Sequence, residues 1–339
     1  MKAVLVSLGA REIVERPIPE PVAAGEVLIK NVAVSSNPKD WKMPVFIKGY
    51  SAVEGNDIAG TIEAVGEGVS KFKKGDRVCA FTKMTSGDKY GAYAEYSLSP
   101  AVTVAKLGDR TSFEDAAALP LPYATATIGL FRQMRVEEPG SSKPKDAAIL
   151  VWGGATTVGV YAIQLAKLAG YYVVAVSGAS QDVATKYGAD ENLDYRNKSH
   201  DDLAAEIRST HGGKGVKYVY DAVSENETHA IAALALKGIA GAVYGHVLPL
   251  SDDELKAFAD NVRVVRIACR SAYDDEAEAG EKWFDWLGPA LEKGEIKPQR
   301  VTIMPGGLEG VAEGLRRLEK HEVRGEKLVY RIADTPGLA

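Results

Sequence analysis

Residues 150–170 read LVWGGATTVGVYAIQLAKLAG and place Gly153, Gly154 and Gly159 within seven residues. Before them Ile149, Leu150, Val151 and Trp152 form an apolar, strand-like run. After them Val158, Ala162, Leu165 and Ala169 recur at spacings of four, three and four, the period of a helix face. Glycine at a strand-to-helix turn permits a tight bend and lets phosphates approach bare backbone N–H groups, where the helix dipole favours negative charge. A dinucleotide pyrophosphate suits that geometry. Gly154 and Gly159 match the first and third glycines of G-x-G-x-x-G, with Thr156 in place of the second. A glycine-lined packing turn is the competing reading.

The next strand, YYVVAVSGAS, bears on which dinucleotide. An NAD site carries an acid at this strand end, about 20 residues past the glycine turn, for the ribose hydroxyls. Here the place holds Ser177, Gly178, Ala179 and Ser180. With no carboxylate to repel it, a 2′-phosphate could be accepted by hydroxyl donors, which favours NADPH over NADH. No arginine or lysine stands in this turn, and the serines could equally satisfy turn backbone.

The elements that must position these residues follow from pattern. At 339 residues and 46% hydrophobic, the chain exceeds what one core usually supports, so two domains are expected. Up to residue 123, runs such as KAVLVSLG, EVLIKNVAVSS, GTIEAVG and DRVCAFT alternate with proline and glycine turns, an all-β pattern. Over 124–271, apolar strands alternate with helices, the pattern of a doubly wound parallel sheet. Residues 272–339 open with an acidic loop, 274–281, then a helix around WFDWLGPALEKG in which Trp283 and Trp286 pack a core. A strand VTIMP, a helix and a last strand EKLVYRI follow. This tail is expected to rejoin the first domain, giving an α/β protein with domains at 1–123 plus 272–339 and at 124–271.

Composition excludes several classes. Among apolar runs, none approaches the roughly 20 residues of a spanning helix, and the opening MKAVLVSLGAREIVE is unlike a secretory signal; a cytoplasmic protein is expected. The net charge of -5 comes from interspersed residues with no basic stripe, which argues against nucleic acid. Cys79 and Cys269 lie in strand-like stretches and read as buried thiols.

Several stretches in order, SSNPKDWK, EGNDIAGTIEAVGEGVSKFKKGDRVCAF, YGAYAEYSL, AALPLPYATATIGL, WGGATTVG and GGLEGVAEGLRRLEKHEVRGEKLVYRI, resemble the medium-chain dehydrogenase/reductase superfamily over nearly the full length. Within it the chain is most similar to the zinc-free quinone and enoyl reductases, the fungal enoyl reductase-like group above all. The resemblance implies a GroES-like β domain plus a Rossmann domain, NADPH as cofactor, and reduction of an activated carbon–carbon double bond.

The departures from zinc alcohol dehydrogenases are equally informative. Where those enzymes place a cysteine in the early loop and a histidine–glutamate pair after a glycine, this chain has SSNPKDWK and Asn56–Asp57. Two cysteines cannot build the four-cysteine structural lobe, and His200, His211, His229, His246 and His321 fall outside the ligand positions. No metal is expected. Without a Lewis acid, oxidising an alcohol is hard. Conjugate reduction asks only that reactants be oriented, water excluded and a donor offered to the developing enolate.

By resemblance, Asn37 and Thr125 lie near the nicotinamide and its ribose, and Gly154, Thr156, Thr157 and Val158 lie beneath the pyrophosphate. Ser177, Ser180 and Tyr195 meet the 2′-phosphate, for which Lys327 could supply the missing charge. His246 and Val247, after the fourth strand of the second domain, and Cys269 and Ser271, after the fifth, line the nicotinamide pocket at strand C-termini. Lys42 and Tyr50, from the loop replacing the zinc loop, are the candidates for proton donation. The substrate is expected to be a small enone, quinone or enoyl thioester, free or carried by a synthase, and the protein a possible homodimer. The alternatives are a zinc-type alcohol dehydrogenase and a non-catalytic NADPH-binding protein.

Overall fold

The computed structural model describes residues 1–140 and 146–338. The chain divides into two compact units, Met1–Leu121 with Arg270–Ala339, and Pro122–Cys269. The divisions anticipated at 123/124 and 271/272 each lie two residues further along.

The first unit opens with β1 (Lys2–Ser7), β2 (Ala10–Glu15), β3 (Glu26–Ser35), α1 (Pro38–Phe46) and β4 (Ser51–Val53). It continues with β5 (Asp57–Val65), β6 (Arg77–Phe81), β7 (Tyr96–Pro100), β8 (Val104–Lys106) and α2 (Phe113–Ala116). β3 is the hub, antiparallel to β5 on one side and to β7 over its first half. Its near-continuous apolar sequence fits that position, because almost every residue of β3 is buried. The segment SSNPKDWK is a helix start rather than a loop. Pro38 at the first helical position has no N–H to satisfy, and the Asp40 carboxylate accepts the Asn37 backbone N–H at 2.8 Å. That correction also moves Lys42 out of a loop and onto α1.

α3 (Pro120–Thr127) leads into the second unit. There β9 (Ala148–Trp152), α4 (Thr157–Leu168), β10 (Tyr172–Ser177), α5 (Gln181–Lys186), β11 (Glu191–Asp194) and α6 (His200–Gly213) come first. After them come β12 (Tyr218–Asp221), α7 (Thr228–Leu236), β13 (Ala242–His246), α8 (Asp252–Leu255) and β14 (Val262–Arg266). The six strands pair in parallel in the order β11-β10-β9-β12-β13-β14. The strand order therefore reverses between β9 and β12, the switch point outside whose C-termini doubly wound sheets bind ligands.

The chain returns with α9 (Ala277–Lys293), β15 (Val301–Met304), α10 (Val311–Glu319) and β16 (Lys327–Arg331). β16 pairs with β3, setting Val329 opposite Ser35, so the last strand completes the first unit's sheet. The acidic run 274–281 is not a loop throughout, since α9 begins at Ala277. Buried Trp283 packs edge-on to Trp286, with ring centroids 5.7 Å apart. Among the described residues, no helix is long and apolar enough to cross a membrane.

Candidate functional site

The glycine turn connects β9 to α4. Gly153 turns the chain at φ 76, a left-handed conformation that suits glycine. Thr156 caps the helix, its hydroxyl accepting the Gly159 N–H at 3.0 Å. Thr157 and Val158 occupy the first turn, where amides have no acceptor within the helix. A Cβ on Gly159 would stand 2.1 Å from the Gly153 carbonyl oxygen, and one on Gly154 would stand 2.8 Å from Ala175 Cβ and 3.3 Å from Ser177 Oγ. Bare backbone is thus required at both places. Replacing Thr156 by Ala removes the cap and is expected to cost about 1 kcal/mol in chemical unfolding, with Thr156→Ser restoring it.

Ser177 ends β10 buried at 3% exposure, and its hydroxyl has no hydrogen-bond partner among the described residues. An orphaned buried hydroxyl beside a cradle that a Cβ would fill fits a phosphorylated ligand. Ser180 precedes α5 without capping it through its side chain. Tyr195 stacks on Trp152 with ring centroids 6.5 Å apart, and its hydroxyl oxygen lies 3.1 Å from where a Gly178 Cβ would be. The structure therefore gathers Gly154, Ser177 and Tyr195 at adjacent strand ends.

The β12–α7 turn adds a group that the sequence reading missed. Buried Asp221 accepts from the Val223 and Ser224 N–H groups at 2.9 and 2.7 Å, from Thr228 Oγ1 at 2.5 Å and from the Tyr244 hydroxyl at 2.7 Å. Ser224, Asn226 and Glu227, in this same turn, have φ of 55, 54 and 59, a left-handed backbone costly for residues with side chains. Ser224 Oγ in turn accepts the Val247 N–H at 2.9 Å. His246 closes strand β13 rather than standing in a loop, and its Nδ1 lies 2.6 Å from the Leu248 carbonyl oxygen. Burial holds His246 below its ordinary pKa, and since a carbonyl only accepts, Nδ1 carries the proton. Thr125, on α3, accepts the Tyr220 hydroxyl at its carbonyl, 2.8 Å away. Half-buried Cys269 ends the second unit, and buried Ser271 belongs to the first.

Two ionic clusters organise the first unit. In one, Asp57 Oδ2 accepts from Asn37 Nδ2 at 2.7 Å and Lys327 Nζ at 2.9 Å, while Asp57 Oδ1 accepts the Leu121 N–H at 2.5 Å. Lys327 also donates to Asn37 Oδ1 at 2.6 Å. This corrects the expectation for Lys327: a side chain 3% exposed, neutralising a carboxylate 0% exposed, is not a free charge for a phosphate. In the other, Lys39 Nζ lies 2.9 Å from Asp40 Oδ1 and also bonds Glu54 Oε2. Tyr50 donates its hydroxyl to Glu54 Oε1, and Tyr93 donates to Asp40 Oδ2 at 2.6 Å. Burial raises the Glu54 pKa against the opposing pull of Lys39. The Tyr50 pKa is raised by burial and then by the charge of Glu54. Lys39, Asp40 and Glu54 were not singled out from sequence, and Asp57 only as a residue standing in place of a zinc ligand; the one hint is that VEGNDIAG carries two acids between β-branched stretches.

At the position of the family's zinc-ligating histidine, Asn56 Nδ2 donates to Thr82 Oγ1 at 3.0 Å and to the Lys83 carbonyl at 3.1 Å. Among the described residues, no group of three or more His, Cys, Asp or Glu side chains could hold a metal ion.

A GroES-like β unit and a six-stranded doubly wound sheet with a glycine cradle define a nucleotide-dependent oxidoreductase. Residues 23–109 match the alcohol dehydrogenase GroES-like domain family, and residues 157–271 match the zinc-binding dehydrogenase family. Trans-enoyl reductase fsr4 of Gibberella fujikuroi is 32% identical over 321 residues, covering 91% of this chain and 92% of its own. A mycobacterial quinone oxidoreductase superposes with TM-score 0.73 at 26% identity, covering 98% of this chain and 99% of its own. A mycobacterial protein solved in complex with NADPH gives TM-score 0.78 at 26% identity and the same coverage. The chain belongs to the medium-chain dehydrogenase/reductase superfamily and is an oxidoreductase.

Proposed function

We propose that the protein is a zinc-independent, NADPH-dependent reductase of activated carbon–carbon double bonds, acting on an enone, an enoyl thioester or a quinone. The observation that carries this reading is the Gly55–Asn56–Asp57 segment. Asn56 donates to Thr82 and Lys83, and Asp57 is neutralised by Lys327, where a zinc enzyme needs metal ligands. The NADPH part rests on the bare turn at Gly154 and Gly159 and on the unpartnered Ser177 hydroxyl. When bound, NADPH would supply a hydride to the β-carbon; the double-bond pair would then shift to the bond between the α-carbon and the carbonyl carbon, and the carbonyl π pair onto oxygen, giving an enolate.

The chain's own residues then have limited work. The Thr157 and Val158 amides and Ser177 bind phosphate, and Asp221 fixes the turn that carries Ser224, whose hydroxyl in turn accepts the Val247 N–H. Lys42 and Tyr50 are the candidates to donate a proton to the enolate. Tyr50 keeps its hydroxyl proton well above neutral pH, because burial and Glu54 both disfavour the phenolate. Tyr50→Phe is expected to lower kcat by about 100-fold with NADPH affinity unchanged; an unchanged kcat would return the proton donor's role to Lys42 or water.

The test of the reading is a panel assay following NADPH oxidation at about 340 nm with 2-enones, quinones, crotonyl thioesters and aldehydes. Turnover with conjugated acceptors and none with simple aldehydes supports the reductase. The likeness to the zinc-binding dehydrogenase family favours a second reading, a zinc-type alcohol dehydrogenase, which aldehyde turnover dependent on added zinc would establish.

A further inference from the structure

We infer that Arg196 is the cation that receives the 2′-phosphate, and that its grip on Asp194 gives the site its preference for the phosphorylated nucleotide. The inference rests on reading the glycine turn as an NADPH cradle, and it deepens that reading.

The turn after β10 holds no basic residue, and Lys327 is buried against Asp57. The charge has to come from a neighbouring strand. β10 and β11 pair in parallel with Ser177 in register with Asp194. Adjacent strands run about 4.8 Å apart, and register partners project from the same face. The acid that an NAD site carries at the end of its second strand is therefore present here, one strand over.

That acid is not bare. Arg196 Nε lies 3.0 and 3.1 Å from the two Asp194 oxygens, Nη2 lies 2.6 Å from Oδ2, and the Arg196 backbone N–H donates to Oδ1 at 3.0 Å. The Arg196 side chain is 50% exposed, and an exposed pair of this kind contributes little stability. Its five donors can therefore serve a phosphate while still holding Asp194. Lys198, the next basic residue, bonds Glu206 instead. Tyr195, between Asp194 and Arg196 in sequence, stacks on Trp152 with its hydroxyl beside Gly178. Ser177 brings a buried hydroxyl that lacks a partner among the described residues. Three donors of the kind a 2′-phosphate needs thus lie at the C-terminal ends of two neighbouring strands.

The sign of the effect follows from Asp194. With Arg196 removed, its carboxylate repels a dianionic phosphate and is free to accept from a ribose 2′-hydroxyl. The variant should turn from NADPH towards NADH, rather than merely weaken. The experiment titrates NADPH and NADH by nucleotide fluorescence, and 2′,5′-ADP and 5′-ADP by calorimetry. It uses the full-length wild type, Arg196→Ala and Asp194→Asn, with thermal melts confirming that each folds. The expected result is that Arg196→Ala weakens NADPH and 2′,5′-ADP on the order of 10- to 100-fold and leaves NADH unweakened. Asp194→Asn should keep the preference for NADPH.

A wild type that prefers NADPH, with an Arg196→Ala variant whose NADPH-to-NADH affinity ratio stays within about twofold, overturns the role of Arg196 alone. A wild type that binds neither nucleotide overturns the cradle reading and this inference with it, and one that binds NADH more tightly overturns the NADPH preference and this inference while leaving the pyrophosphate cradle standing.

Discussion

Gly159→Val is expected to abolish measurable NADPH binding. A Cβ at this position would lie 2.1 Å from the Gly153 carbonyl oxygen, 2.9 Å from its carbon and 3.0 Å from Gly154 Cα. All three are backbone atoms, so no flexible side chain can yield. Either the first turn of α4 or the Gly153 carbonyl has to shift by about an ångström, and displacement of that size can cost on the order of 100-fold where geometry matters. The bond from Gly159 N–H to the Thr156 hydroxyl is lost in the same movement. Overpacking of this kind costs about 1–3 kcal/mol in stability, so the protein should still fold. Fluorescence titration with NADPH beside a circular-dichroism melt checks this. A folded variant with wild-type affinity would mean that the turn only packs the sheet.

Lys327→Met is expected to be the most destabilising single change in the first unit. It strands Asp57, a carboxylate 0% exposed whose Oδ2 is held by Lys327 and Asn37. Breaking a buried pair by removing one partner costs about 3–5 kcal/mol, because the remaining charge is left without compensation. Replacing both partners removes that charge, so Lys327→Met with Asp57→Asn should recover most of the loss. Urea unfolding of the two variants measures the difference. A loss under about 1 kcal/mol in the single variant would show that water or a rearranged Asn37 compensates Asp57.

The glycine turn was legible in sequence because everything it needs is local: an apolar strand, three glycines and a helical period inside 21 residues. The alternation of strands and helices over 124–271 gave the parallel sheet for the same reason. The ionic clusters were not legible, since they join distant residues. Lys327 meets Asn37 across 290 positions, and no pattern in either segment records the other. The start of α1 did carry its signal, proline first and an acid two residues on, but Asn37 and Asp40 read as loop chemistry without the helix they begin.

β11 was missed because ENLD, four residues with one leucine, lacks the period of a strand. Without β11 there is no register, and without register Asp194 and Arg196 stand 17 and 19 residues from Ser177 instead of beside it. Lys327 was misjudged for a related reason. Its strand sequence, EKLVYRI, reads as amphipathic, yet four of the five residues of β16 are buried.

The most direct test follows the hydride itself. The protein is stripped of metal with a chelator and supplied with NADPH deuterated at C4 on the transferable face and with an enone or a crotonyl thioester; product is read by NMR. One deuterium on the β-carbon, at a rate unchanged by added zinc, is the predicted result. Deuterium that appears only when zinc is restored, or on the carbinol carbon of an allylic alcohol in place of the β-carbon, would contradict metal-free conjugate reduction.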